Sequence, residues 1–226
     1  MTRNRRRPRR GESRPSIQPG EAWRRIKNPY PPIAQFNEDE LEAIHLTSLN
    51  LLRDKGIKVL SAEAREHYRQ AGANVSEDTL MVQFDPDMLL QTVEQAPASF
   101  TMHGRSANRW IEVGDNNLIF ATVGGPPHYS DLEGGRRAGT HDTFRDLLRM
   151  AQNYDVIHLT TPMVEPQDLP IPVRHLHMTR SVVTLTDKPT FIYSRGREAV
   201  ADSLEILRIA YGIDRQTFEE QVHCYT

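Results

Sequence analysis

The sequence predicts an α/β fold built on a parallel sheet. Stretches of strand character begin near Leu118, Val156, Thr190 and Val222, about every 32–38 residues. Helix-period segments with their own caps or stops lie between them. Connections of that length join parallel strands through a crossover helix. The chain is 38% apolar and 26% charged over 226 residues, which is ordinary for a protein with a packed core.

Residues 1–27 read as a disordered tail, rich in Arg, Pro, Gly and Ser with little to bury. Its RRRPRR run is not followed by the apolar stretch that a targeting signal needs, because GESRPSIQPGE comes next. A Pro-rich hinge, Asn28–Ile33, leads into a small helical α+β region, residues 28–117. Asn37 and Glu40 have the spacing of a capping box. Leu41, Ile44, Leu51 and Leu52 follow on one helix face, and Gly56 stops the helix. Ser61 caps a second helix ending at Gly72. Asp85-Pro86 opens a third, to about Ala96, because Pro at the first helical position loses no hydrogen bond. SFTMHGR, RWIEVG and NNLIFAT then read as a strand meander with turns at Ser106–Asn108 and Gly114–Asn116.

Residues 118–226 carry the alternation itself. Leu118–Thr122 is the first strand. Thr140 caps a helix with Phe144, Leu147, Leu148 and Ala151 on one face. Val156–Thr161 is the second strand, and after a proline-bearing loop a helix covers about Arg174–Leu185. Thr190–Ser194 is the third strand, a helix runs from about Glu198 to Tyr211, Gly212 ends it, and Asp214 caps a short helix. Val222–Thr226 begins a fourth strand. A (β/α)8 barrel needs eight such units, and this sequence supplies about three and a half. The expectation is a partial TIM-type barrel, the front of a longer enzyme, with a small open α/β sheet as the alternative.

The formal net charge of −2 hides an uneven distribution. The first 20 residues are at +6, and the rest, with 21 basic against 29 acidic residues, is at −8. An acidic body argues against a nucleic-acid-binding domain. The single cysteine, Cys224, permits no internal disulfide and fits a reducing, cytoplasmic setting. No apolar run approaches the roughly 20 residues of a membrane helix.

In parallel α/β folds the site lies beyond the carboxyl ends of the strands. That rule selects His128, Tyr129 and Asp131 after strand one, Glu165 after strand two, and Tyr193, Ser194 and Arg195 after strand three. His158 lies within strand two. Each has a structural alternative: loop packing for Tyr129, a turn for Asp131, an interior hydrogen bond for His158. Gly124-Gly125 is a sharp turn, since neither GxGxxG nor GK[ST] is present. His175 and His177 face different sides of a helix and make a poor metal pair, and no His/Cys cluster has zinc spacing. No catalytic residue is assigned.

The segments LEAIHLTSLNLLRDKGIKV, HYRQAGANV, DPDMLLQTVEQAPASFTMHGR, FATVGGPPHYSD, RAGTHDTFRDLLRMAQNYDVI and DKPTFIYS occur in an order that resembles the amino-terminal part of the trimethylamine methyltransferase family, on its branch without pyrrolysine. The resemblance implies a TIM-type barrel behind a helical region. It also implies methyl transfer from a methylamine or quaternary amine (trimethylamine, glycine betaine or similar) to the cobalt of a corrinoid protein partner. No cofactor would be bound by this chain directly, and full-length relatives are expected to be homo-oligomers. A quaternary ammonium is held by aromatic faces and a carboxylate. The available groups of that kind are Tyr129, Tyr193, Asp131 and Glu165. A non-catalytic fragment or partner-binding α/β module is the alternative.

Overall fold

A computed structural model of the chain describes residues 23–31, 33–192 and 195–225. These divide into two compact units, one of residues 29–98 and one of residues 23–28 with 99–225. The first element, β1 (Ile26–Lys27), belongs to the second unit.

In the unit of residues 29–98, helix α1 (Glu38–Asp54) starts where the capping box predicts. Glu40 N–H donates to Asn37 Oδ1 and Asn37 N–H donates to Glu40 Oε2, both at 2.9 Å. Its apolar row is only partly used: Leu52 packs in the core, while Leu41 and Leu51 stay more than half exposed. Gly56 ends the helix at φ +73°. Then come β2 (Ile57–Lys58), α2 (Ala62–Gln70, capped by Ser61), β3 (Asn74–Ser76) and β4 (Met81–Gln83). The three strands form an antiparallel sheet in the order β2-β4-β3. Asp85 caps α3 (Pro86–Val93), which stops short of the expected Ala96. Ala73, Val82 and Phe84 form the buried core. Arg65 is buried beside them, held by Glu77 at 2.7 Å and by the Val59 carbonyl at 2.9 Å.

The other unit opens with an antiparallel hairpin, β5 (Ser99–His103) and β6 (Trp110–Gly114), in which Met102 faces Ile111. β7 (Asn117–Leu118) pairs antiparallel with β1. Residues 23–27 are therefore ordered, which corrects the expected extent of the tail. Burial explains the difference: Trp23 packs with Met102, Ile111 and Leu159 and donates its indole N–H to the Trp110 carbonyl at 3.2 Å. Residues 1–22 of the tail lie outside the described residues. The meander also belongs to this unit, not to the helical one, because Met102 bridges Val222 and His103 N–H donates to the Val222 carbonyl at 2.8 Å.

The segment after Thr122 holds a feature that the sequence reads only as loop. It is a second antiparallel hairpin, β8 (His128–Asp131) and β9 (Gly135–Ala138). Then follow α4 (His141–Asn153, capped by Thr140), α5 (Ile171–Leu185), β10 (Thr190–Phe191), α6 (Arg197–Tyr211), α7 (Arg215–Glu220, capped by Asp214) and β11 (Cys224–Tyr225). α5 starts three residues earlier than expected, since Pro172 sits in the first turn, where its missing N–H is no loss. Extended segments pair in parallel in chain order: Ala121 with Leu159, Thr160 with Thr190, and β10 with β11. Helices α4, α5 and α6 fall between them, as the 32–38-residue spacing requires. The regular ladder is short, and the described residues form no closed barrel. Phe144, Leu148, Val164, Met178 and Val182 make the core beneath α4 and α5.

Before the start of β10, Lys188 is buried and donates to the carbonyls of Ala151 and Tyr154 at 2.6 and 2.7 Å, capping the end of α4. Burial, reinforced by the nearby Arg109 guanidinium, pushes its ammonium down to about 8. Arg109 sits 3.1 Å from Asp155 and 3.5 Å from Asp187.

Candidate strand-end site

The loops beyond the parallel segments are stitched together by backbone. Gly125 N–H donates to the Pro162 carbonyl, Glu165 N–H to Pro126 and Gly139 N–H to Pro127, each at 2.9 Å. Gly139 is required by close approach, since a Cβ there would sit 2.3 Å from Val164 Cγ2. Thr122 and Thr161 lock the first two segments, with Thr161 N–H donating to Thr122 Oγ1 at 2.8 Å and Thr161 Oγ1 donating to the Val123 carbonyl at 2.6 Å.

Glu165 and Arg195 are the sequence-selected residues that this geometry puts into one cleft. The cleft is lined by Glu165, Ile171, Arg174, His175, Arg195 and Ala199. Arg174 Nη1 donates to Glu165 Oε1 at 2.7 Å, and the same guanidinium donates to the Leu169 carbonyl at 2.9 Å through Nη2. His175 Nε2 lies 3.1 Å from Asp202 Oδ2. The cleft therefore brings two guanidinium groups and an imidazole to a carboxylate that already has a partner.

The hairpin residues fall elsewhere. Asp131 closes the β8–β9 turn, accepting from Glu133 N–H at 3.1 Å and Gly134 N–H at 2.6 Å, and it pairs with Arg137. The Gly134 N–H and the Arg137 guanidinium hold its carboxyl below the usual carboxylate range. Tyr129 packs against the α4–α5 core, and Arg137 stands 5.3 Å over its ring. Its aromatic face thus already carries a cation. His128 is exposed, with Nδ1 3.3 Å from Arg136 Nη2.

His158 is buried, and both ring nitrogens are taken. Phe120 N–H donates to Nδ1 at 3.1 Å and Nε2 lies 2.7 Å from the Arg24 carbonyl. This tautomer leaves no ring nitrogen for a ligand. Tyr193 and Ser194 lie outside the described residues. Arg174 and the His175–Asp202 pair were missed by sequence reasoning, and no local pattern announces them: Arg174 is nine residues from Glu165 and His175 is 27 from Asp202. Among the described residues no three His, Cys, Asp or Glu side chains gather to hold a metal ion, and no helix is long and apolar enough to cross a membrane. Burial pushes the Cys224 thiol up to about 11, far from a reactive thiolate.

A family model described as trimethylamine methyltransferase matches residues 2–226. A glycine betaine methyltransferase of Desulfitobacterium hafniense strain Y51 is 31% identical over 178 residues, which cover 78% of this chain and 37% of that protein. The trimethylamine methyltransferase MttB of D. hafniense strain DCB-2 is 26% identical over 182 residues, 80% of this chain and 36% of that protein. MttB1 of Methanosarcina mazei is 36% identical over 70 residues, 31% of this chain and 14% of that protein. The chain thus spans little more than a third of the first two relatives.

Proposed function

The chain belongs to the trimethylamine methyltransferase family, and from that membership we propose that it forms the first strand–helix units of a (β/α)8 barrel whose whole moves a methyl group from an amine to a corrinoid protein. The match over residues 2–226 carries this reading. The parallel pairing of successive segments supports the barrel, because eight units of this kind close into one.

A corrinoid bound to the partner would supply the nucleophile, a reduced cobalt, for the methyl group. The C–N bonding pair stays with nitrogen, so a quaternary amine leaves neutral. The chain's own part is to bind the amine, point one methyl group outward, and keep water away. Orientation of this sort is the main source of rate when the nucleophile comes from elsewhere. Uniform stabilisation of the cation would not help, because the positive charge is lost along the reaction.

The cleft favours an amine that carries a carboxylate, such as glycine betaine. Glu165 and Asp131 are each neutralised by an arginine, so neither offers an uncompensated charge to a bare ammonium. The cleft lining sets two guanidinium groups, Arg174 and Arg195, against one carboxylate, Glu165, and that excess of positive charge suits a carboxylate end. A non-catalytic, partner-binding role is the alternative that the test below separates.

The test grafts residues 2–226, the whole matched stretch, in place of the corresponding part of the glycine betaine methyltransferase relative. Cobalt methylation is followed by absorbance with glycine betaine and with trimethylamine. Turnover supports the enzyme reading, and preference for glycine betaine supports the cleft assignment. A folded chimaera without turnover on either amine favours the partner-binding reading.

A further inference from the structure

Helices α4 and α5 enclose a second pocket, of about 230 Å3, lined by His141, Arg145, His177, Arg180, Ser181 and Thr184. We propose that this pocket binds a phosphate-type oxyanion. The inference does not rest on the amine methyl-transfer reading, since none of its residues lines the strand-end cleft.

The lining residues carry two guanidinium groups, two imidazoles and two hydroxyls, and none carries a carboxylate. Arg180 is exposed, and no described residue pairs with its guanidinium. Arg145 stands 3.7 Å from Asp142, beyond hydrogen-bond reach, and that carboxylate is 90% exposed. The other acidic neighbour, Asp168, accepts the backbone N–H of His141 at 2.9 Å. His141 and His177 meet edge to face, with ring centroids 5.7 Å apart. The hydroxyl of buried Ser181 lies 2.8 Å from His141 Nε2, which fixes that ring.

A planar guanidinium presents paired N–H donors that match the oxygens of a phosphate. A tetrahedral oxyanion has acceptor oxygens enough for both arginines and an imidazole N–H together, while the Thr184 hydroxyl already donates to the Arg180 carbonyl at 2.8 Å. A neutral or cationic ligand would leave Arg180 uncompensated. His177, Arg180 and Thr184 are exposed, so the pocket is open to a ligand from solvent.

The oxyanion can be free or borne by a larger molecule, and two probes separate these sources. The 226-residue chain is titrated by calorimetry with inorganic phosphate and, separately, with adenosine monophosphate, at constant ionic strength in chloride. Saturable binding of either probe is expected; tighter binding of the monophosphate assigns a phosphate carried on an organic group, and equal or weaker binding assigns a free one. Loss of two donor side chains should weaken binding by about tenfold or more, so the exposed pair H177A/R180A is the variant to compare, with its melting curve as a check on folding. No saturable heat with either probe, or binding by the folded double variant as tight as by the parent, overturns the proposal.

Discussion

Arg174 Nη1 and Glu165 Oε1 stand 2.7 Å apart at the mouth of the strand-end cleft, with side chains only 12% and 20% exposed. A pair this sheltered is worth more than a surface ion pair. Removing either partner strands the other. We expect Glu165→Ala to lower stability by about 1–3 kcal/mol. Arg174→Ala should cost more, since it also loses the bonds to Leu169 O. Urea denaturation of both single variants and the double variant checks this, with a non-additive cycle expected for residues in contact. Additive effects would show that the pair is not coupled.

Lys188 sets a pH dependence of stability. Its folded value is pushed down to about 8 from the usual 10.5. Between these values the unfolded chain binds more protons than the folded one, so stability rises with pH across that window. Below about pH 8 the buried charge costs its full amount. The rise is at most about 1.4 kcal/mol per pH unit. Lys188→Met should remove this slope, measured as the difference between parent and variant unfolding free energies at pH 7.5 and pH 10. An unchanged difference would place the ammonium in a wetter environment than the structure gives it.

Gly56 and Gly72 separate two costs of adding a methyl group. Both have positive φ, +73° and +100°. At Gly56 an added Cβ would also lie 2.2 Å from the Val82 carbonyl oxygen, whereas at Gly72 it meets only Met88 Cγ at 4.0 Å. Gly72→Ala should therefore cost about 1–2 kcal/mol from backbone strain. Gly56→Ala should cost about 2–4 kcal/mol, because strain and overlap add. Thermal melts of the two variants check the order; equal losses would rule out the overlap at Gly56.

Cys224 should be inert in the folded chain. With its thiol pushed up to about 11, little thiolate exists at pH 7.5. Reaction with a disulfide reagent should run about two to three orders of magnitude slower than in denaturant. Stopped-flow thiol titration with and without urea measures the ratio, and a ratio near one would contradict the burial.

Helix caps were legible in the sequence because they act over three or four residues. Asn37 with Glu40, Ser61, Asp85, Thr140 and Asp214 each accept where expected. The β8–β9 hairpin was not legible: it hides in a stretch with Gly124-Gly125-Pro126-Pro127 at one end, and it has exposed residues on both strands, so no alternation marks it. Trp23 was assigned to a disordered tail because nothing near it in sequence is apolar enough to bury it. Its partners Met102, Ile111 and Leu159 lie far along the chain.

At the site, strand-end position was enough to select Glu165, yet it could not separate Glu165 from Asp131 or His158. Family membership follows from the match of the sequence itself, and the order of strands and helices follows from local caps, stops and spacing. Which side chains remain available was decided only by tertiary packing. His158 is tied to a carbonyl 134 residues away, Glu165 to Arg174 and Asp131 to Arg137. Such pairings depend on how separate elements are brought together in space, and hydrophobic periodicity along the chain holds no record of them.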